Sequence, residues 1–320
     1  MKILVTGGTV FVSRAMAEYF AAAGHDVCVL NRGSRAQSDG VRHLCHDRHA
    51  PGLDLRAEAF DAVIDVTAYN AGDVDALLDA VGEAPRYVLI SSSAVYPQTL
   101  PQPFREAMPV GANVHWGAYG TDKIAAEERL LARCPQADII RPPYLYGPGN
   151  EVYREAFVFE CAQADRPFFL PGDGAMPLQF FHVRDLCRLT ERVLAAAPMG
   201  RILNCGNPGT VTVREWVEMC YAAVGKAPVF VPVDDSVPQR SYFPFLKYAY
   251  ELDVTRQGAF LTELTPLDEG LAESYAWYKA HRELIRRKPL LDFIDRELSG
   301  CAPHECRRKD GSDISSFGHV

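Results

Sequence analysis

No stretch of this 320-residue chain approaches the roughly 18 uninterrupted apolar residues of a membrane-spanning helix, and Glu18 breaks the Ala-rich patch at 15–23. Basic charge is also scarce. The 33 Lys and Arg stand against 41 Asp and Glu, a net charge of −8, and no long basic run is present to neutralise a phosphate backbone, which disfavours nucleic acid as the main partner. The nine cysteines lack any pairing rhythm, and an odd, scattered set in a chain this long reads as buried free thiols in a reducing compartment. Ile3-Leu4-Val5 is too short for a signal-peptide core, so the expectation is a cytoplasmic protein. Internal repeats are missing too, while 48% apolar and 23% charged residues exclude collagen and wholesale disorder. At this length the chain makes one large domain or two coupled ones.

What is present is an alternation of short β-branched runs with longer Ala-rich segments of helical period, the pattern of a doubly wound α/β fold built on a parallel sheet. Strands are predicted at Lys2–Val5, Asp26–Leu30, Ala62–Val66, Tyr87–Ser91, Ala137–Arg141 and Arg201–Cys205. Helices are predicted at Ser13–Ala23, Val74–Val81, Tyr119–Arg133, Arg184–Ala196 and Thr212–Val224, the last closed by Gly225. Past Pro142, Pro, Gly and aromatic residues crowd 142–181 and 226–250. This divides the chain into a dinucleotide-binding domain at 1–150, rejoined by 180–225, and a substrate lobe at 151–179 and 226–300, with a flexible tail at 301–320.

Thr6-Gly7-Gly8-Thr9-Val10-Phe11-Val12-Ser13 follows the first strand and opens the first helix. Glycines in that place allow a tight turn and let backbone amides approach a pyrophosphate. Val10 and Ser13 stand where further glycines usually occur, so the phosphate is expected farther out or the helix packed differently. The second strand ends in Asn31, not the usual carboxylate, and Arg32 and Arg35 follow it. Either ribose is tolerated there, and the two arginines favour the 2′-phosphate of NADP over NAD. Asp47 and Arg48 could flank the adenine, and Val66, Thr67 and Ala68 would lie beneath a ribose.

Tyr119 and Lys123 are four residues apart at the start of a helix, a spacing that puts the phenol and ammonium on one face. Ionising a free phenol at pH 7 costs about 4 kcal/mol. A neighbouring ammonium would lower that cost and make Tyr119 an acid/base for a carbinol proton, with Lys123 also free to bind a ribose. Ser91-Ser92-Ser93 ends a strand at the carboxyl rim, where open α/β sheets bind ligands. His115-Trp116 precedes Tyr119 and could roof nicotinamide or substrate.

Taken together these segments resemble the extended short-chain dehydrogenase/reductases, in the NAD(P)-dependent epimerase/dehydratase branch, over about residues 1–280. The resemblance rests on Thr6-Gly7-Gly8-Thr9 with Phe11, Ser91 to Tyr96, Tyr119 with Lys123, and Arg141-Pro142-Pro143 with Tyr146-Gly147-Pro148-Gly149. It continues through Phe181-His182-Val183-Arg184-Asp185-Leu186 and Pro266 to Leu271. It implies that Ser92, Tyr119 and Lys123 are catalytic and that Thr6, Gly7, Gly8, Thr9, Phe11, Val12 and Pro142 belong to the cofactor site. Ser93, Tyr144 and His115 would then face the substrate, expected to be a sugar or sugar nucleotide.

Two positions depart from the pattern. Tyr144 stands where many sugar-nucleotide members carry a substrate-binding Asn, and Leu178 where they carry an Arg on the diphosphate. Arg154, Arg166 or Arg240 could replace the missing charge, and the same arginines could equally be surface residues. The glycine turn matches an atypical subgroup with some non-catalytic members. A non-catalytic NADP sensor or scaffold therefore remains an alternative, as does a simple carbonyl reductase. No metal is expected, since Cys301, His304 and Cys306 make only three soft ligands. The helix around Tyr119–Arg133 could mediate a homodimer.

Overall fold

The computed structural model describes residues 1–82 and 85–299, so the Cys301, His304 and Cys306 set lies outside the described residues. The first six strands are β1 (Lys2–Thr6), β2 (Asp26–Asn31), β3 (Arg42–Cys45), β4 (Ala62–Asp65), β5 (Arg86–Ile90) and β6 (Asp138–Arg141). Four short strands follow, β7 (Tyr144–Tyr146), β8 (Phe168–Pro171), β9 (Pro177–Leu178) and β10 (Phe180–His182). After them come β11 (Ile202–Asn204), β12 (Val211–Thr212) and β13 (Phe230–Val233). The main sheet has seven parallel strands in the order β11-β6-β5-β4-β1-β2-β3. Chain direction across the sheet reverses between β1 and β4, which opens a ligand crevice at their carboxyl ends.

The helices are α1 (Phe11–Ala22), α2 (Ala71–Val81), α3 (Ala118–Arg133), α4 (Glu155–Gln163), α5 (Val183–Ala195), α6 (Val213–Val224) and α7 (Leu267–Ala280). Because strand side chains alternate, Ile3 and Val5 pack with Met16 and Phe20 of α1 and Leu186 of α5, whereas Leu4 packs with Leu77 of α2 and Ala126 of α3. Both faces of the sheet are thus buried, as the near-continuous apolar strands require. The outer surface of the α2–α3 pair, the expected dimer face, is polar and carries Asp75–Arg129, Asp75–Arg133 and Asp79–Arg133 ion pairs.

A second apolar cluster, with Phe157, Phe159, Phe168, Trp216, Tyr221 and Phe243, forms the other lobe. Here the expected partition shifts. Residues 180–204 return to the main sheet through α5 and β11, but α6 buries Trp216, Val217 and Cys220 in this second cluster. The reason is its partners: β12 pairs with β9 of the second lobe, and α6 packs on α4 and α7. The capping box of Thr212 and Glu215 and the left-handed Gly225 set the ends of α6 where the sequence places them. Seven free cysteines lie among the described residues; six are buried, as expected, and Cys45 is exposed. No helix there is long and apolar enough to cross a membrane, and no group of His, Cys, Asp or Glu could hold a metal ion.

Candidate active site

Gly7 and Gly8 have φ of 89° and 82°, a left-handed turn that side chains resist. A Cβ on Gly7 would stand 2.8 Å from Ser13 Oγ, and one on Gly8 would stand 2.5 Å from Val29. Ser13 is accommodated because its hydroxyl folds back to donate to the Val10 carbonyl at 3.0 Å. The turn leads into α1, whose N-cap Val10 makes no side-chain cap and whose first turn has no acidic residue. Its opening amides and positive dipole end are therefore suited to an anion, and the cradle fits a dinucleotide pyrophosphate. Gly149 closes over this turn, its position for a Cβ being 3.6 Å from Phe11 Cα.

At the end of β2 the expected ribose-side residues divide. The Asn31 amide donates to Gly7 O at 2.6 Å and Gln37 Oε1 at 2.9 Å, so it braces the glycine turn. Arg32 is largely exposed, with Asp47 3.9 Å away. Arg35 departs from its expected place beside a 2′-phosphate. Its guanidinium is committed to both oxygens of buried Glu151, which also accepts from Arg286 at 3.2 Å. A carboxylate desolvated in that position draws the nearest cations to itself. Arg48 likewise points inward instead of flanking an adenine, donating to Asp65 at 3.1 Å and Thr67 Oγ1 at 2.7 Å. Asp47 caps its own loop by accepting from His49 N at 2.9 Å.

Asp65 is fully buried at the end of β4 and also accepts from Thr6 Oγ1 at 2.7 Å and Tyr87 at 2.8 Å. Burial alone would raise its pKa, but Arg48 and these hydroxyls hold it below the usual carboxylate value. Thr6 Oγ1 in turn accepts from the amides of Val66 and Thr67.

The three strand-end serines have different tasks. Ser91 donates to Glu127, which pairs with Arg141 beneath the site. Ser93 donates to Tyr250 at 3.1 Å, while its amide binds Pro142 O at 2.9 Å. Of the three, only Ser92 acts on the half-buried Tyr119, lowering the pKa of its phenol, while its own hydroxyl accepts from Ala94 N at 3.1 Å.

Lys123 does not tune the phenol as the spacing suggested. Its buried ammonium donates to Ala68 O at 2.8 Å and Ile90 O at 3.1 Å and lies 5.1 Å from the centre of the Tyr69 ring. These strand-end carbonyls compete successfully for its protons. Desolvation brings the Lys123 pKa down to about 8. Desolvation also raises that of Tyr119; the Ser92 hydrogen bond and the Arg154 charge oppose this, and Tyr69 adds to it. Arg154, on the segment before α4, is thus the cation that acts on the phenol. Neither Tyr69 nor Glu151 had a motif to announce it.

Toward the second lobe, the Arg154 guanidinium lies 5.0 Å from the Tyr144 ring centre and 5.7 Å from that of Phe245. Tyr144 is 6% exposed and its hydroxyl has no hydrogen-bond partner. His115 stacks on Tyr248 at 4.2 Å, in an aromatic wall that includes Tyr250 and Trp116. Leu178 is buried at 1% exposure and contributes to the second lobe's core, not to the cleft.

Residues 56–206 match the NAD dependent epimerase/dehydratase family. The chain is 29% identical over 301 residues to the chloroplast stem-loop binding protein of 41 kDa b of Arabidopsis thaliana, covering 86% of this chain and 78% of that protein. It is 29% identical over 282 residues to the 2′-dehydrokanamycin reductase of Streptomyces kanamyceticus, covering 83% and 79%. The UDP-glucuronic acid 4-epimerase of Bacillus cereus, solved in complex with NAD, has the same fold with a TM-score of 0.71. That match has 18% identity and covers 88% of this chain and 99% of that one.

Proposed function

We propose that the chain, whose residues 56–206 match the NAD dependent epimerase/dehydratase family, oxidises and reduces a sugar or sugar-nucleotide carbon through Ser92, Tyr119 and Lys123. The observation that carries this reading is the close packing of Gly120 on Ala94, which puts Tyr119 beside Ser92 at the carboxyl rim of the sheet, with Lys123 anchored on the carbonyls of Ala68 and Ile90. A bound nicotinamide would supply the hydride acceptor and donor. Tyr119 takes the proton from the carbinol oxygen during oxidation and returns it during reduction. Ser92 donates to that oxygen and fixes its place. Lys123, positioned by two carbonyls, presents its remaining N–H to a ribose hydroxyl.

Gly7, Gly8 and the start of α1 hold the pyrophosphate in this reading, with Thr6, Thr9, Phe11 and Val12 around it and Val66, Thr67, Ala68 and Pro142 flooring the cleft. Arg32 is the cation left to meet a 2′-phosphate, which keeps NADP as the proposed preference. Substrate-facing roles fall to Ser93, Tyr144 and His115.

The test is turnover of a panel of sugar nucleotides and carbonyl compounds by the purified protein with NAD and with NADP. In the Tyr119→Phe variant turnover is expected to fall at least 100-fold, a loss of about 2.7 kcal/mol in transition-state stabilisation, with cofactor affinity retained. Undiminished turnover in that variant would remove Tyr119 from the mechanism. Cofactor binding without turnover of any panel member would favour the sensor or scaffold, and stoichiometric NADPH loss would indicate a simple reductase.

A further inference from the structure

Beneath the strand-end serines lies a buried ion pair that the chemistry given to Tyr119 does not use. Arg141, at the end of β6, grips both oxygens of Glu127 on α3, with its Nε 2.9 Å from one of them. Glu127 is 3% exposed and Arg141 2%. Two charges taken out of water are often no more stabilising than apolar side chains of similar size, so stability alone does not account for this pair.

The pair holds both ends of the segment from Ser91 to Tyr96, which carries Ser92. At its start Ser91 Oγ donates to Glu127, and at its end Arg141 donates to the Tyr96 hydroxyl at 2.9 Å. Tyr96 donates in turn to Asn204 Oδ1 on β11 at 2.8 Å, and the Asn204 amide donates to the Phe104 carbonyl at 2.9 Å. Ser91, Tyr96, Asn204 and Phe104 are all buried, so solvent does not compete for these bonds.

Glu127 also completes a series along α3. Tyr119, Lys123 and Glu127 are spaced four residues apart and share one helix face. That helix meets the rim of the sheet at three successive turns: Gly120 packs on Ala94, Lys123 donates to Ala68 O and Ile90 O, and Glu127 accepts from Ser91. Contacts at three levels fix the rotation of the helix about its own axis. The Lys123 ammonium is faced from other elements by Asp65 on β4, Asp73 on α2, Arg48 beyond β3 and the Tyr69 ring. Desolvation disfavours its charge; Asp65, Glu127 and Asp73 oppose this, and Arg48 adds to it.

We propose that Glu127 and Arg141 are positioning residues, which lock the segment bearing Ser92 and the helix face bearing Tyr119 and Lys123 into one register. The Glu127 carboxylate also helps to keep the Lys123 ammonium charged. This rests on the sugar-directed reading above and adds the groups that aim its catalytic side chains.

The double variant Glu127→Leu/Arg141→Met removes the pair without stranding a buried charge. It is expected to melt within a few degrees of wild type, with kcat lowered at least tenfold and the KM for cofactor changed less than threefold. Ser91→Ala, which cuts only the link between helix and serine segment, should lower kcat several-fold at unchanged KM. Nuclear magnetic resonance of 13C-labelled lysine side chains, with the Lys123 signal identified by Lys123→Met, provides a readout that needs neither cofactor nor substrate. In the double variant Lys123 should lose its proton at a pH lower than in wild type by about half a unit or more. Wild-type kcat in the double variant, collapse of its fold, or an unchanged Lys123 titration overturns the proposal. Turnover lost in Tyr119→Phe but intact in the double variant refutes the positioning role and leaves the Tyr119 chemistry standing. Undiminished turnover in Tyr119→Phe removes that chemistry, while the Lys123 titration still decides whether the pair acts on this helix face.

Discussion

Gly120 packs so closely on Ala94 that a Cβ on the glycine would lie 2.6 Å from the Ala94 carbonyl oxygen. This contact brings α3 against the turn after Ser92 and so sets Tyr119 beside that serine. Ala in a helix interior normally stabilises by about 0.5–1 kcal/mol relative to Gly. At this position the sign should reverse. Gly120→Ala is expected to lower the melting temperature and reduce kcat at least tenfold, with a smaller change in cofactor Kd. A melting temperature equal to or above wild type would show that the two segments do not need this approach.

Lys123 is buried with its pKa lowered from 10.5 to about 8. Below pH 8 it is protonated in both folded and unfolded chains, and its full desolvation cost opposes folding. Between about 8 and 10.5 only the unfolded chain holds the proton, so this cost shrinks and the group's contribution to stability rises with pH. Its full span is on the order of 3 kcal/mol. The stability of Lys123→Met relative to wild type should therefore fall between pH 8 and 10. Denaturant melts at several pH values provide the comparison, and a constant difference would mean that Lys123 titrates normally.

Arg32 is exposed at the end of β2, while Arg35 is held by Glu151. Arg32→Glu should weaken NADP binding by at least tenfold and leave NAD within a factor of three, measured by fluorescence titration. Arg35→Gln should not produce that discrimination. An equal loss of both cofactors in Arg32→Glu would remove the preference for NADP.

Glu151 gathers Arg35 and Arg286 around one buried carboxylate. Both arginines are partly exposed, so solvent screening limits their contribution. Glu151→Gln leaves two cations facing each other and is expected to cost about 1–3 kcal/mol in unfolding free energy. Adding Arg35→Gln should recover part of that loss, since it removes one of the opposed charges. A double variant no better than the single one would count against this arrangement.

The sheet was legible because its strands are apolar on both faces and alternate with amphipathic helices; most of their predicted limits fall within two residues of those observed. The second lobe was less so. Its strands β7 to β10 have two to four residues each, too few to establish a period, and the α6 face looks equally suitable for packing on a sheet. At the site, the spacing of Tyr119 and Lys123 identified a shared helix face but not that backbone carbonyls would capture the ammonium. Arg154 and the Phe245 ring beside it are far apart in sequence, and only the folding of the second lobe brings them together. Arg35 and Arg48 were misplaced for the same reason: their carboxylate partners, Glu151 and Asp65, lie on distant segments.

A single carboxylate, Asp65, ties Thr6 on β1, Tyr87 on β5 and Arg48 beyond β3 to the end of its own strand. None of these bonds involves the aromatic lobe, so the nucleotide end of the molecule is stitched together independently of whatever selects the sugar. The consequence is modularity. A chimera that grafts a relative's segments over 240–250 and 285–290 should acquire new substrate range while inheriting its dinucleotide affinity unaltered, and joint loss of both would reveal that the two halves had co-evolved as one unit.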